Sequence, residues 1–366
     1  MTNWQPATLS DALDLQRGHD LPSNQRNHGR VPVIGSFGVT GHHDVALYPG
    51  PGVAIGRSGA SIGMATFVRD AYWPLNTCLF VSDFKGNLPY WIFLLLKMIN
   101  FQQFNSGSAQ PSLNRNFLRK IPILLPPRLE QQAITEVLVA LDDKIDANTA
   151  LAHTAEDLAI VRTSLLNDHV RLGEIVELQR RTISPAGLGE SLVEHYSLPS
   201  FDAGRLPVVE SPTQIRSGKF DLTVPCVLVS KLNPRFPRVW PILNRGSLRG
   251  LASTEFMPLV GQFVSPGVLW ALLSQPTFGK GLESQVAGTS GSHQRVRPED
   301  MLNSEVHDPR GLSPNEIEGI ESLVSLSVHL GYESQSLAEV RDTLLPQLMS
   351  GRLRVKDAER QVESVV

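Results

Sequence analysis

Cysteine is nearly absent: Cys78 and Cys226 are the only two in 366 residues. Two isolated thiols build neither a Cys-rich zinc site nor a disulfide framework, so both are expected as reduced core residues. Long apolar runs are missing as well. No window approaches 18 uninterrupted apolar residues, and Met1 to Asp20 has neither a basic start nor an apolar block. This argues against a membrane span and a secretory leader, and points to the cytoplasm. Aromatics are few, at 7%, yet 41% of the residues are hydrophobic, enough for packed cores and against disorder as the main state. The chain is about two to three times the usual domain length, which favours two domains over one.

A strong positive charge is also lacking. The net charge of -3 argues at first against nucleic acid, whose affinity for proteins comes largely from cations that displace counterions. Counted by segment, however, residues 1–128 carry +5, 129–168 carry -6, 169–312 carry +2 and 313–366 carry -4. Two net basic stretches alternate with two acidic ones, an asymmetry a single globule has no reason to show.

The acidic stretches read as long helices. Leu129 to Leu166 contains no Pro or Gly, and Val137, Leu141, Leu151, Ala155, Leu158 and Leu165 follow a 3,4 spacing interrupted by Lys144, Asn148 and Arg162. Ser313-Pro314-Asn315-Glu316 supplies a cap, a Pro at the first helical position and a Glu three residues after the cap. Ile320, Leu323, Leu330, Leu337, Leu344 and Leu348 then repeat the seam to Gly351, with Gly331 and Pro346 as points of weakness or kinking. At about 1.5 Å per residue each helix is roughly 55 Å long, too long for one small domain to cover, so the two are expected to pair as a coiled coil.

The basic stretches are short runs of Val, Ile, Phe and Trp broken by turn residues, and they repeat each other. Leu9 to Arg17 matches Leu172 to Arg180, Val53 to Arg57 matches Val227 to Lys231, Pro89 to Leu96 matches Pro266 to Leu273, and Pro127-Arg128 matches Pro309-Arg310. The four matches are collinear and their offset grows only from 163 to 182. The chain is therefore read as a tandem duplication of a β-rich, mixed α/β globule followed by a long helix, an α+β fold. The expected boundaries are 1–128 and 169–312 for the globules, 129–168 and 313–351 for the helices, and 352–366 for a tail.

Motifs for catalysis are weak. Asn233-Pro234-Arg235-Phe236 departs from the Asn-Pro-Pro-aromatic motif of amino methyltransferases at its third residue and has no Gly-x-Gly cofactor loop upstream, so it reads as a loop. Gly56 to Gly63 lacks the Gly-Lys-Ser/Thr that cradles phosphates, and Gly279-Lys280-Gly281 lacks the hydroxyl residue. His42-His43-Asp44 has no third ligand cluster, and adjacent His side chains on a strand would point apart, so His42 and His43 read as loop residues. No catalytic residue, cofactor site or metal site is assigned.

What remains is cations set among Gly, Ser, Asn, Gln and His, the residues that donate to phosphates and base edges. In the first globule the candidates for DNA binding are Arg26, Arg30, Arg57, Ser108, Gln110, Asn114, Arg115 and Lys120, with Arg119 beside them. In the second they are Lys231, Arg235, Arg238, Arg245, Arg249, Ser292, His293, Gln294, Arg295 and Arg297, with Lys280 nearby. The segments Ser106 to Arg115 and Gly288 to Arg295 stand at equivalent places in the two halves, which singles out Arg115 and Arg295.

The two-fold repeat, the Leu-Gly-Glu-like opening of each half, Ile121-Pro122-Ile123-Leu124-Leu125-Pro126-Pro127 leading to Leu129-Glu130-Gln131-Gln132, and Leu344 to Gly351 together resemble the specificity subunit of type I restriction-modification enzymes. The second-half counterpart, His307-Asp308-Pro309-Arg310-Gly311-Leu312, lacks the Gln pair and much of the apolar strand before it. The resemblance implies two target-recognition domains, each reading one half of a bipartite, asymmetric double-stranded DNA site, on two helices paired antiparallel as a spacer. It further implies that the chain is non-catalytic. S-adenosylmethionine, ATP and Mg would then belong to partners, two methyltransferase subunits and also restriction or translocase subunits. Two other readings are a solitary DNA methyltransferase or nuclease that uses the globules for recognition, and a partnerless specificity-like regulator.

Overall fold

The computed structural model describes residues 4–106, 111–189, 191–244, 246–285 and 294–363. The chain forms two compact units, Met1–Asp143 with Ser336–Val366, and Lys144–Gln335. The division falls within both long helices, so each unit is one globule together with a length of each helix.

In the first unit β1 (Asp14–Arg17), β2 (Gly52–Gly56), β3 (Ala65–Val68) and β4 (Cys78–Asp83) form an antiparallel sheet in the order β1–β4–β2–β3. Strand β2 reads Gly-Val-Ala-Ile-Gly and is buried throughout. Alternation along it sends Val53 and Ile55 to one core and Ala54 to another. On the first side lies α1 (Pro89–Met98), which packs Trp91, Ile92, Leu95 and Leu96 against Val53, Ile55, Leu79 and Val81. On the other, Ile34 from a three-stranded sheet meets Ala54, Cys78 and Phe80. The chain then enters α2 (Arg128–Ser164).

The second unit repeats this scaffold. Strands β5 (Val176–Leu178), β6 (Cys226–Ser230), β7 (Val239–Ile242) and β8 (Phe256–Gly261) have the order β5–β8–β6–β7, again antiparallel, under α3 (Pro266–Leu273). Backbone hydrogen bonds recur at matching places: Leu9 N–H to Ile121 O at 2.8 Å and Leu172 N–H to Ser304 O at 2.9 Å, then Leu113 N–H to Arg57 O at 2.8 Å and Val296 N–H to Lys231 O at 3.0 Å. The duplication read from sequence is thus a duplication of topology. What differs is the sheet behind the scaffold, which has three strands in the first unit and five in the second. Both cysteines are free and buried, as expected. Among the described residues no helix is long and apolar enough to cross a membrane.

Helix α2 pairs antiparallel with α4 (Pro314–Met349) as a coiled coil. In the first unit Arg341 donates to Asp142 at 2.7 Å, and Tyr90 of α1 donates to the same carboxylate. In the second, Asn148 donates to Glu333 at 3.0 Å, and a Cβ on Gly319 would meet the Arg162 guanidinium. Moving forward along α2 thus moves backward along α4. The start of α4 is the expected capping box, with Ser313 Oγ donating to the Glu316 carboxylate at 2.6 Å and accepting from Glu316 N–H at 3.4 Å. Most of the α4 seam is as read, with Ile320, Leu330, Leu337, Leu344 and Leu348 buried, but Leu323 is half-buried and Val324 beside it is buried instead. Pro346 falls in the final turn of the helix, which runs on past it to Met349.

The α2 seam differs from the sequence expectation. Leu141, Asn148 and Ala155 lie on it, but Leu151, Leu158 and Leu165 are exposed by 49%, 42% and 73%. Their places are taken by Ile134, Leu138 and Ala159, with buried Gln131 and Thr163 at the ends. Polar residues are tolerated on the seam because Gln131, Asn148 and Thr163 each find a hydrogen-bond partner. We expect Leu138→Ala to cost about 2–4 kcal/mol in urea denaturation and Leu158→Ala less than about 0.5 kcal/mol. Equal losses would return Leu158 to the seam.

Each globule is clasped by its long helix at the start of the helix that covers its sheet. Gln131 Oε1 accepts from Leu88 N–H at 3.1 Å, while its Nε2 donates to Asn87 Oδ1 at 2.7 Å and Pro126 O at 3.0 Å. In the second unit, where the Gln pair is missing from the sequence, Glu321 Oε1 accepts from Gly267 N–H at 2.7 Å and Val268 N–H at 3.2 Å. A Cβ at position 267 would fall 2.7 Å from that carboxylate, so a larger residue there would push the Glu321 side chain aside.

Candidate nucleic-acid interface

In the first globule three segments converge on a cleft of about 510 Å³: the end of β1, the turn after β2, and the strand-like stretch leading into the short helix Arg115–Leu118. It is lined by Gln16, Arg17, Arg57, Leu79, Ser106, Ser112, Leu113, Asn114 and Arg115. The Leu113–Arg57 backbone bond and the Ser58–Ser112 bridge hold two walls together. Asn114 caps the short helix by accepting from Asn116 N–H at 3.0 Å, which sets Arg115 in its first turn. None of these residues is acidic. Arg17 and Arg115 are exposed, and Arg57 makes one bond of 3.3 Å to Asn76 O. Three guanidiniums beside the amides of Gln16 and Asn114 can hold phosphates and offer paired donor and acceptor groups to base edges.

Not every cation singled out in this globule belongs to the cleft. Arg26 donates to Leu21 O at 3.4 Å and Thr40 O at 3.0 Å and braces its own loop. Arg30 and Lys120 are exposed outside the cleft lining. Ser108 and Gln110 lie outside the described residues. His42 and His43 end the strand Gly38–His43 rather than lying in a loop; His43 is buried and its Nδ1 accepts from Asn27 N–H at 3.1 Å, while His42 is exposed.

The same region of the second globule carries Gln179-Arg180 at the end of β5, Lys231 after β6, and Gln294-Arg295-Val296-Arg297 leading into a short helix that starts at Pro298. The matched backbone bonds align Leu113 with Val296, hence Ser112 with Arg295 and Asn114 with Arg297. The two loops are equivalent, but Arg115 and Arg295 are not equivalent within them. Arg180 and Arg297 are exposed, and Lys231 is half-buried. Arg295 is held by Glu255 through two bonds of 3.1 and 2.8 Å, which keep that carboxyl below its usual range.

Two other candidates here are tied into ion pairs of the fold. Arg238 donates twice to Asp202, at 2.7 and 2.9 Å, and Arg249 donates twice to Asp221, at 2.7 and 2.6 Å. Arg181 reaches the same Asp221 at 3.1 Å. Arg235 stands over the ring of Phe236, and Asn233 to Phe236 form a turn closed by Phe236 N–H to Asn233 O at 2.9 Å. Arg245, Ser292 and His293 lie outside the described residues. Sequence reading passed over Gln16, Arg17 and Arg180. The signal was available, since Leu15-Gln16-Arg17 recurs unchanged as Leu178-Gln179-Arg180.

Comparison with known proteins bears out the resemblance. Residues 1–156 match the family model described as type I restriction modification DNA specificity domain. The type I restriction enzyme EcoprrI specificity subunit of Escherichia coli is 24% identical over 180 residues, 48% of this chain and 43% of that protein, so the match spans less than half the length of the relative. The crystal structure of a type I restriction-modification system S subunit from M. genitalium is similar over 95% of this chain and 96% of its own, with a TM-score of 0.65 at 15% identity, a likeness of fold.

Proposed function

Because its first 156 residues belong to the type I restriction modification DNA specificity domain family, we propose that this chain is a non-catalytic specificity subunit that reads a bipartite, asymmetric site in double-stranded DNA. The observation that carries the reading is one scaffold present twice, sharing Gln16-Arg17 and Gln179-Arg180 but carrying different side chains at other matched positions: Arg57, Ser112 and Asn114 in one globule, and Lys231, Arg295 and Arg297 in the other. A symmetric dimer reads two identical half-sites; a duplicated and diverged chain reads two different ones. Phosphate contacts by the cations would set register and affinity, and the amides would select bases. Methylation and cleavage would fall to methyltransferase and restriction subunits, which would also hold S-adenosylmethionine, ATP and Mg.

Co-expression with a methyltransferase subunit, followed by mapping of methylated adenines, tests the reading. A two-part motif with unlike halves is expected. Arg17→Ala and Arg180→Ala should then disturb different halves, by roughly 1–3 kcal/mol if the contact is to a base edge. A single uninterrupted motif, or both variants acting on one half, would contradict one globule per half-site. Methyl transfer or cleavage by the rigorously purified chain alone would instead favour the solitary enzyme.

A further inference from the structure

The turn between β6 and β7, residues 231–238, and that between β2 and β3, residues 57–64, follow one backbone course. Both take a positive φ at the third residue, 80° at Gly59 and 52° at Asn233. There the N–H donates outward to the neighbouring segment, to Pro111 O at 3.0 Å and Gln294 O at 2.9 Å, and the sixth residue closes the turn onto the third in each case. On this shared course the sixth side chain has opposite fates. Ile62 is 6% exposed and joins the core; Phe236 is 65% exposed at the tip.

Single exposed apolar residues are ordinary on protein surfaces. Here, however, the flanks have changed as well. Pro234, buried, and Pro237 replace Ala60 and Gly63, fixing φ on both sides of Arg235-Phe236 so that the ring is held out on a stiff support. The Arg235 guanidinium lies 5.9 Å from the ring centroid, Lys231 opens the turn, and Arg295, paired with Glu255, stands on the segment that the turn bonds to. A rigid apolar ring among cations suits a polyanion that also offers apolar surface, which is the chemistry of a DNA groove with its phosphates, thymine methyls and base edges.

We propose that Phe236 makes the apolar base contact of the second globule while Arg235 holds an adjacent phosphate; this rests on the DNA-reading function proposed above. Salt separates the two roles, because only a phosphate contact releases counterions. Full-length wild-type chain is used to select sequences from a random duplex library. Affinities of wild type, Phe236→Ala and Arg235→Ala for the selected duplex are then measured across a salt series.

Phe236→Ala is expected to weaken binding roughly 5- to 100-fold with an unchanged salt slope, and to relax selection at one position. Arg235→Ala should lower the slope by about one unit with the selected bases kept. Thermal unfolding should not shift for Phe236→Ala, since the ring is exposed. Phe236→Ala binding within about twofold of wild type with unaltered selection overturns the proposal, as does a loss confined to capture of a methyltransferase subunit. A wild-type chain that enriches no sequence overturns both this proposal and the reading beneath it.

Discussion

Replacing Arg17, Arg57 and Arg115 together with alanine should lower the salt dependence of DNA binding by about two to three units of d log K/d log [salt], and affinity by about two to four orders of magnitude near physiological salt. The size follows from convergence. The three guanidiniums line one cleft with no acidic residue among its described lining. Each phosphate neutralised contributes about 0.9 to the slope. Folding should survive, because Arg17 and Arg115 are exposed and Arg57 is tied to the fold by one long bond to Asn76 O, at 3.3 Å, among the described residues. Fluorescence anisotropy across a salt series reads the slope, and adenine mapping in the assembled complex should show damage to one half of the motif only. A slope that moves by less than about half a unit would mean solvated surface arginines.

The second large effect is on stability. Asp221 is 1% exposed and accepts two bonds from Arg249 and a contact from Arg181. Asp221→Ala removes the one carboxylate two cations share and should destabilise its unit by about 2–3 kcal/mol. That is below the 3–5 kcal/mol usual for breaking a buried pair, because both guanidiniums are partly exposed and can turn to water. Arg249→Ala should cost less, since Arg181 still reaches Asp221. Urea denaturation followed with a probe in the second unit checks the order. Arg249→Ala costing as much as Asp221→Ala, or more, would show that Arg181 gives no compensation.

These two results bracket what sequence could reveal. The duplication, the capped start of the second long helix and the sheet-and-helix scaffold all rest on local patterns or on collinear repetition, which a linear reading detects. The helix seam was misplaced because bulk was taken as the sign of burial, while Ala159, Asn148 and Thr163 fill the seam and the larger Leu151 and Leu158 face outward. The fate of an arginine is harder still. Arg238, Arg249 and Arg295 resemble Arg17 and Arg115 in local sequence, but their partners Asp202, Asp221 and Glu255 lie 36, 28 and 40 residues away. Only the fold decides which cations are consumed internally. The pair Gln16-Arg17 shows the converse, a candidate visible in the repeat itself, since Leu15-Gln16-Arg17 recurs as Leu178-Gln179-Arg180.

The clasps of Gln131 and Glu321 have a mechanical meaning. Two hydrogen bonds at Gln131 and two at Glu321 weld a long helix to the start of the helix that covers each sheet. At roughly 1 kcal/mol each, swivelling a globule on its own stretch of helix means unmaking about 2 kcal/mol, several times the thermal energy. Each joint therefore behaves as a stiff lever and not as a tether. In nuclear spin relaxation the globule and the adjoining turns of its helix would share one rotational correlation time, and loosening Gln131 to alanine would split it in two.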